Sequence, residues 1–159
     1  MNRISGGLKE LGEYAKGSGV SVIVESHGEF THAADVLDIL QGANMENVAF
    51  LWDPHHTCVS GEKPEDTYNM LGRVRSAYTP QGLPAQLPGT RTNATIVLLG
   101  KGEVPVKETV RVLASHGYRG FYCFEWEKRW HPDIDEPEVS FPHYARTIRE
   151  YLSEFGIKA

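Results

Sequence analysis

The chain has 159 residues, 40% hydrophobic and 23% charged, the makeup of one globular domain able to bury a core. Its 21 acidic and 16 basic residues leave a net charge of -5 and no basic block, which argues against the positive stripe that phosphate backbones require. No apolar run reaches the roughly 18 residues of a membrane span, and Met1-Asn-Arg-Ile opens no signal peptide, so the sequence predicts a cytoplasmic protein without membrane or nucleic-acid partners.

Taken in chain order, Leu8, Leu11 and Ala15 recur at helical spacing over residues 7–17, and Gly17 and Gly19 stop that helix. Residues 20–25 (Val-Ser-Val-Ile-Val-Glu) form a short β-branched run, the pattern of a strand covered on both faces. Thr31 can cap a helix whose apolar stripe is Ala33, Val36, Leu37 and Leu40, up to Gly42. A second strand spans 48–53 and a helix about 65–72. Further on, Val106, Val110 and Leu113 mark a helix ending at His116-Gly117, and residues 120–125 form another strand. The segment 127–138, rich in charge and proline, reads as a lid or subunit contact before an amphipathic helix carrying Tyr144, Ile148, Tyr151, Leu152 and Phe155. Cys58 and Cys123 match no metal or redox spacing and read as reduced thiols.

Strands alternating with helices imply βα units and a parallel sheet. Three of the apolar runs end on a carboxylate: Glu25, Asp53 and Glu125. In parallel α/β folds, above all (β/α)8 barrels, side chains at the C-terminal strand ends converge on a common centre. Converging carboxylates repel, so they must share protons or be neutralised by a cation, and for three of them a divalent metal is the simpler solution. Any one acid alone would be read as a cap for the loop or helix that follows. The metal reading rests on all three sharing one position.

Asp53 opens Asp-Pro-His-His in the turn after the second strand, a carboxylate followed three residues on by the imidazole of His56, which can reach either the metal or a substrate oxygen. His27 shares the side of Glu25 if that strand continues, and Glu127 stands in the same relation to Glu125. Trp52, Trp126 or Trp130 can supply an apolar wall, or serve as ordinary core and rim residues.

The stretches Glu25-Ser-His-Gly-Glu-Phe-Thr, Leu-Trp-Asp53-Pro-His-His56, Leu99-Gly-Lys-Gly-Glu-Val-Pro and His116-Gly-Tyr-Arg-Gly-Phe-Tyr-Cys-Phe-Glu125 together resemble the sugar phosphate isomerase/epimerase family of xylose-isomerase-like TIM barrels. The resemblance implies a metal held by a Glu, an Asp, a His and a Glu from the last four barrel strands, with both Glu residues also moving protons. Carried over by position, Glu25, Asp53 and Glu125 are the metal ligands, Glu25 and Glu125 the acid/base groups, and His56 the substrate contact. His27 and Trp126, read from their places beside the strand ends and not carried over, are expected to line the substrate pocket with it. The His ligand has no counterpart. The resemblance further implies isomerisation or epimerisation of a sugar or sugar phosphate through an enediolate, with Mn²⁺ or Mg²⁺ favoured by oxygen ligands and Co²⁺ or Zn²⁺ admissible if a histidine joins.

Two departures qualify the match. Residues 74–95 break the pattern and read as aberrant, either frameshifted or without fixed structure. Encoding 75–84 as CGT TCG GCA TAT ACA CCT CAA GGA CTC CCC and reading from the second nucleotide gives Val-Arg-His-Ile-His-Leu-Lys-Asp-Ser, which has the form of the missing third strand. The chain also supplies four candidate strands where a complete barrel takes about 250 residues. The expected fold class is therefore α/β, a partial TIM barrel of about four parallel βα units with its third strand disrupted, forming a single fragment over 1–159. A half barrel leaves open edges, so the sequence predicts a homodimer or a missing N-terminal half as partner. Two alternatives stand beside this one: an inactive remnant with a vestigial site, and an apurinic-site endonuclease, which the acidic charge and the absence of an Asp-x-His motif between Gly72 and Glu125 disfavour.

Overall fold

A computed structural model describes residues 2–75, 85–88, 90–92 and 95–158, with side chains described outside 73–95. Helix α1 (Asn2–Ala15) leads into strand β1 (Val22–Glu25), followed by α2 (Ala33–Ala43) and β2 (Val48–Leu51). Two helices follow, α3 (Pro54–Val59) and α4 (Pro64–Arg75), then strands β3 (Ala85–Pro88), β4 (Thr90–Thr92) and β5 (Thr95–Val97). Helix α5 (Val106–Ser115), strand β6 (Tyr122–Glu125) and helix α6 (Pro137–Glu154) complete the order.

The β-branched and aromatic runs become parallel strands, as their all-apolar character requires. β1 pairs parallel with β2, Val22 opposite Val48 and Glu25 opposite Leu51. β3 pairs parallel with β6, and its last residue, Pro88, lies opposite Glu125. β4 and β5 form an antiparallel pair. Among the described residues β1 pairs only with β2 and β6 only with β3, so each keeps an unpaired edge. Ile23 and Phe121, beside those edges, are 48% and 80% exposed.

The helices cover the strands with their apolar stripes. Leu8, Val36, Leu40, Phe50, Trp52 and Leu113 belong to one buried cluster, joining α1, α2, β2 and α5. A second cluster packs Leu99, Val104, Val106 and Val110 under Ile148 and Leu152 of α6. Trp52 is 1% exposed and its indole N–H donates to Thr57 Oγ1 at 3.1 Å, so it is a core residue. No helix of the described residues is long and apolar enough to cross a membrane. Both cysteines are free thiols.

Three expectations need correction. Thr31 does not cap α2: the N-cap is His32, without a side-chain bond, and the Ala33 N–H is met by Glu62 Oε1 at 2.9 Å from a distant loop. Residues 54–59 form a short helix rather than a turn, because Pro54 at N1 has its φ already set for a helix and needs no N–H partner there. The last helix begins at Pro137 for the same reason, with Glu138 in its first turn, so the preceding loop ends at Glu136. Of the segment 74–95, Ala85–Pro88 forms a parallel strand without histidine, and residues 76–84, 89, 93 and 94, on which the frameshift reading falls, lie outside those described.

Candidate metal centre

β1 and β2 run parallel, so their C-terminal ends open on the same side, and the residues just past them meet there. Glu25 ends β1 and is half-buried; Asp53 follows β2 by two residues and is 2% exposed. The backbone of Asp53 is still extended (φ -93, ψ 110), so it serves as N-cap of α3, its Oδ1 accepting the His55 N–H at 2.7 Å. Three residues on, the first turn of α3 brings His56 back over the cap, and its Nε2 lies 3.4 Å from Asp53 Oδ2. The Asp-x-x-His spacing thus works through a helix turn: one carboxylate oxygen fixes the helix and the other faces the imidazole.

Glu25, Asp53 and His56 each offer one ligand atom, all within 4.8 Å of one another. Ligand atoms on a cation at about 2.1–2.2 Å are at most about 4.3 Å apart, so a contraction of a few tenths of an ångström would let the three close on one ion. Two carboxylates and an imidazole therefore fit a divalent cation, in a mixed oxygen and nitrogen set that spans the preferences of Mn²⁺, Co²⁺ and Zn²⁺.

The electrostatics point the same way. Burial pushes the Asp53 carboxyl from 3.8 up to about 8, opposed by the His55 N–H and reinforced by the charges of Glu25, Glu125 and Glu127. Glu25 is raised by burial and then by Glu125, with His27 opposing. Burial and Glu127 raise Glu125, again with His27 opposing. A pocket that holds its acids toward their protonated forms is one in which a cation gains most by entering.

The sequence-predicted residues divide clearly. Glu25, Asp53 and His56 are brought to ligand distance of one another. Glu125 stands outside that group and exposed, acting on Glu25 and Asp53 through its charge. His27 lies beyond the strand, in a turn closed by a bridge to Phe30, and its ring meets that of His56 edge-on at 4.6 Å. Trp126 stacks on Phe124 at 5.6 Å and its indole N–H donates to the Asp135 carbonyl at 2.9 Å. Trp130 is 70% exposed with the Arg129 guanidinium over its ring. His55 contributes its backbone N–H to the site and stacks obliquely on His56 at 5.1 Å.

Parallel βα units with carboxylates and an imidazole gathered past the strand ends define an α/β domain of the barrel type, with the makings of a cation site at its C-terminal face. The chain belongs to the xylose isomerase-like TIM barrel family, whose sequence profile matches residues 1–151. No curated protein sequence matches it significantly. Among solved structures, an L-ribulose 3-epimerase superposes with a TM-score of 0.75 at 16% identity, over 97% of this chain and 54% of its own. A D-tagatose 3-epimerase-like protein gives 0.70 at 16% identity, covering 95% and 54%. The D-allulose 3-epimerase of Methylomonas sp., in complex with D-allulose, gives 0.62 at 16% identity, covering 88% and 46%. At these identities the likeness is one of fold. The chain spans about half the length of the structures it matches.

Proposed function

We propose that the chain is one half of a metal-dependent sugar or sugar phosphate isomerase or epimerase that moves a proton at a carbon beside a carbonyl. The observation that carries this reading is the gathering of Glu25, Asp53 and His56 within 4.8 Å past parallel strand ends, with the Glu125 charge directed at it. Asp53, His56 and Glu25 would hold the cation, His56 taking the place left by the missing strand histidine. A bound divalent ion, Mn²⁺ or Mg²⁺ on the carboxylates and Co²⁺ or Zn²⁺ with the imidazole, supplies Lewis acidity toward substrate oxygens.

The protein's own groups then do the proton work. One of Glu25 and Glu125, ionised, accepts the proton from the substrate C–H; the other, protonated, returns one to the opposite face of that carbon or to its neighbour. The two carboxyls end the turnover with protons exchanged and reset through solvent. Their raised affinities for protons suit groups that must both give and take a proton. His27 beside His56 would donate to a substrate oxygen, and Trp126 would border the pocket. Because solved relatives have about twice the length, the rest of the substrate surface belongs to another half barrel on the open edges of β1 and β6, either a second copy or an N-terminal half. Size-exclusion chromatography with light scattering separates dimer from monomer.

The test of the chemistry is deuterium wash-in. The chain is incubated with Mn²⁺ in D₂O with a ketohexose such as D-allulose or D-tagatose, and NMR reads the carbon beside the carbonyl. Incorporation lost in Glu25→Gln and Glu125→Gln supports the proposal. Metal binding without incorporation favours an inactive remnant, a reading supported by β3 ending on Pro88 where a ligand would face Glu125.

A further inference from the structure

The two loops that carry the site are tied to each other by contacts that do not involve the metal-facing atoms. One loop, residues 26–32, follows Glu25 and carries His27 on its way to α2. The other contains Asp53, His56 and the end of α3, and continues through Ser60 and Glu62 into α4. The hydroxyls of Thr31 and Ser60 are 2.6 Å apart, and the Ser60 hydroxyl is also 3.2 Å from the His56 carbonyl. Two residues further along each loop, Glu62 Oε1 accepts the Ala33 N–H at 2.9 Å, and His32 Nδ1 stands 3.5 Å from the same oxygen. Glu62 Oε2 accepts the hydroxyl of Thr67, a residue 1% exposed in the first turn of α4, at 2.7 Å.

One carboxylate therefore joins the start of α2 to the start of α4. Helix α2 gets no cap bond from its own N-cap His32, so Glu62 satisfies the orphan Ala33 N–H from across the loop pair. The geometry is set at the near end too: Gly61 (φ +83) turns the chain after α3, and the Glu62 N–H donates to the Thr57 carbonyl at 3.1 Å. Between these anchor points each site loop has little freedom. The span from Glu25 to Ala33 is fixed at both ends, by β1 pairing and by Glu62, and the span from Asp53 to Glu62 by the α3 cap and Thr67.

We infer that Glu62, together with the Thr31–Ser60 hydroxyl pair, forms a clamp that sets the separation between Glu25 and the Asp53/His56 pair. These are positioning residues for cation binding, and the inference rests on the cation-site reading proposed above. Partners one layer behind a metal's ligands typically change affinity by about 10–100-fold when removed.

The experiment is calorimetric titration with Mn²⁺ of the wild-type chain and of Glu62→Ala, Glu62→Gln, Thr31→Val and the distant surface control Glu108→Ala. Hydrogen–deuterium exchange of residues 26–33 is read alongside. The clamp predicts that Glu62→Ala weakens Mn²⁺ roughly tenfold or more while exchange at 26–33 accelerates. Glu62→Gln, which keeps an acceptor for the Ala33 N–H, should recover most of the loss, and Glu108→Ala should match wild type. If Glu62→Ala does not fold, Thr31→Val, nearly isosteric, carries the test with a smaller loss of the same sign. Wild-type affinity in every folded clamp variant would overturn the inference and leave the site reading intact. Absence of Mn²⁺ binding by the wild type would overturn both.

Discussion

The two parallel strand pairs present opposite cases. Around β1 and β2, Asp53 caps α3, His56 returns over it, and Glu25 at the end of the neighbouring strand brings a carboxylate within reach of both. Around β3 and β6 the partner of Glu125 across the register is Pro88, and Glu125 itself is exposed. A strand-end acid can enter a cation site where its neighbour on the next strand brings a second donor. The first pair meets that condition within the described residues; the second contributes charge.

The largest expected difference between the two regions is in metal binding. Asp53→Ala should weaken Mn²⁺ by more than about a hundredfold, exceeding the effect of outer partners, as titration calorimetry would read. Glu125→Ala should leave affinity within a few-fold, because an exposed charge acts through screening solvent. Equal losses would erase the distinction.

Packing gives the next contrast. Phe50, 1% exposed in β2, should cost about 3–5 kcal/mol on replacement by alanine in a denaturant titration. Phe124 of β6, half-buried against Tyr144 at 4.4 Å, should cost less.

The pH dependence of the metal-free protein has a definite sign. Asp53 holds its proton up to about 8 in the fold but only to 3.8 in the unfolded chain, so the unfolded chain ionises first. Its contribution is fully present below 3.8 and is lost as pH rises through about 8. Glu25 and Glu125 are raised too and act in the same direction. Melting at successive pH values should show stability falling between those limits by up to about 1.4 kcal/mol per pH unit for a single buried group. Saturating Mn²⁺ should flatten the slope, since a cation favours the ionised carboxylates, and Mn²⁺ affinity should rise over the same interval.

The smallest effect belongs to Trp126. Trp126→Phe loses the hydrogen bond to Asp135 and should cost at most about 1 kcal/mol, with Mn²⁺ affinity unchanged. A changed affinity would bring the β6 side into the metal site itself.

Much of this was legible in the sequence because it is periodic and local. The apolar runs gave β1, β2 and β6, the acids after the first two gave the meeting of Glu25 and Asp53, and Asp53-x-x-His56 is one helix turn. The cap on α2 was not legible, since Glu62 lies 29 residues from Ala33 and no spacing rule joins them. Nor was the strand at Ala85–Pro88, whose proline argues against a central strand and whose pairing with β6 is long-range. The placing of His27 depended on the strand continuing. The strand stops at Glu25, so alternation cannot place a residue two further on; a turn at Gly28 (φ +60) and contact with the His56 ring do.

The central claim, that Asp53, His56 and Glu25 share one cation, is tested most directly by pulsed EPR of Mn²⁺ bound to the protein. The account predicts a directly coordinated imidazole nitrogen that disappears in His56→Phe and persists in His27→Phe. Absence of nitrogen coupling in the wild type, or its survival in His56→Phe, would contradict it.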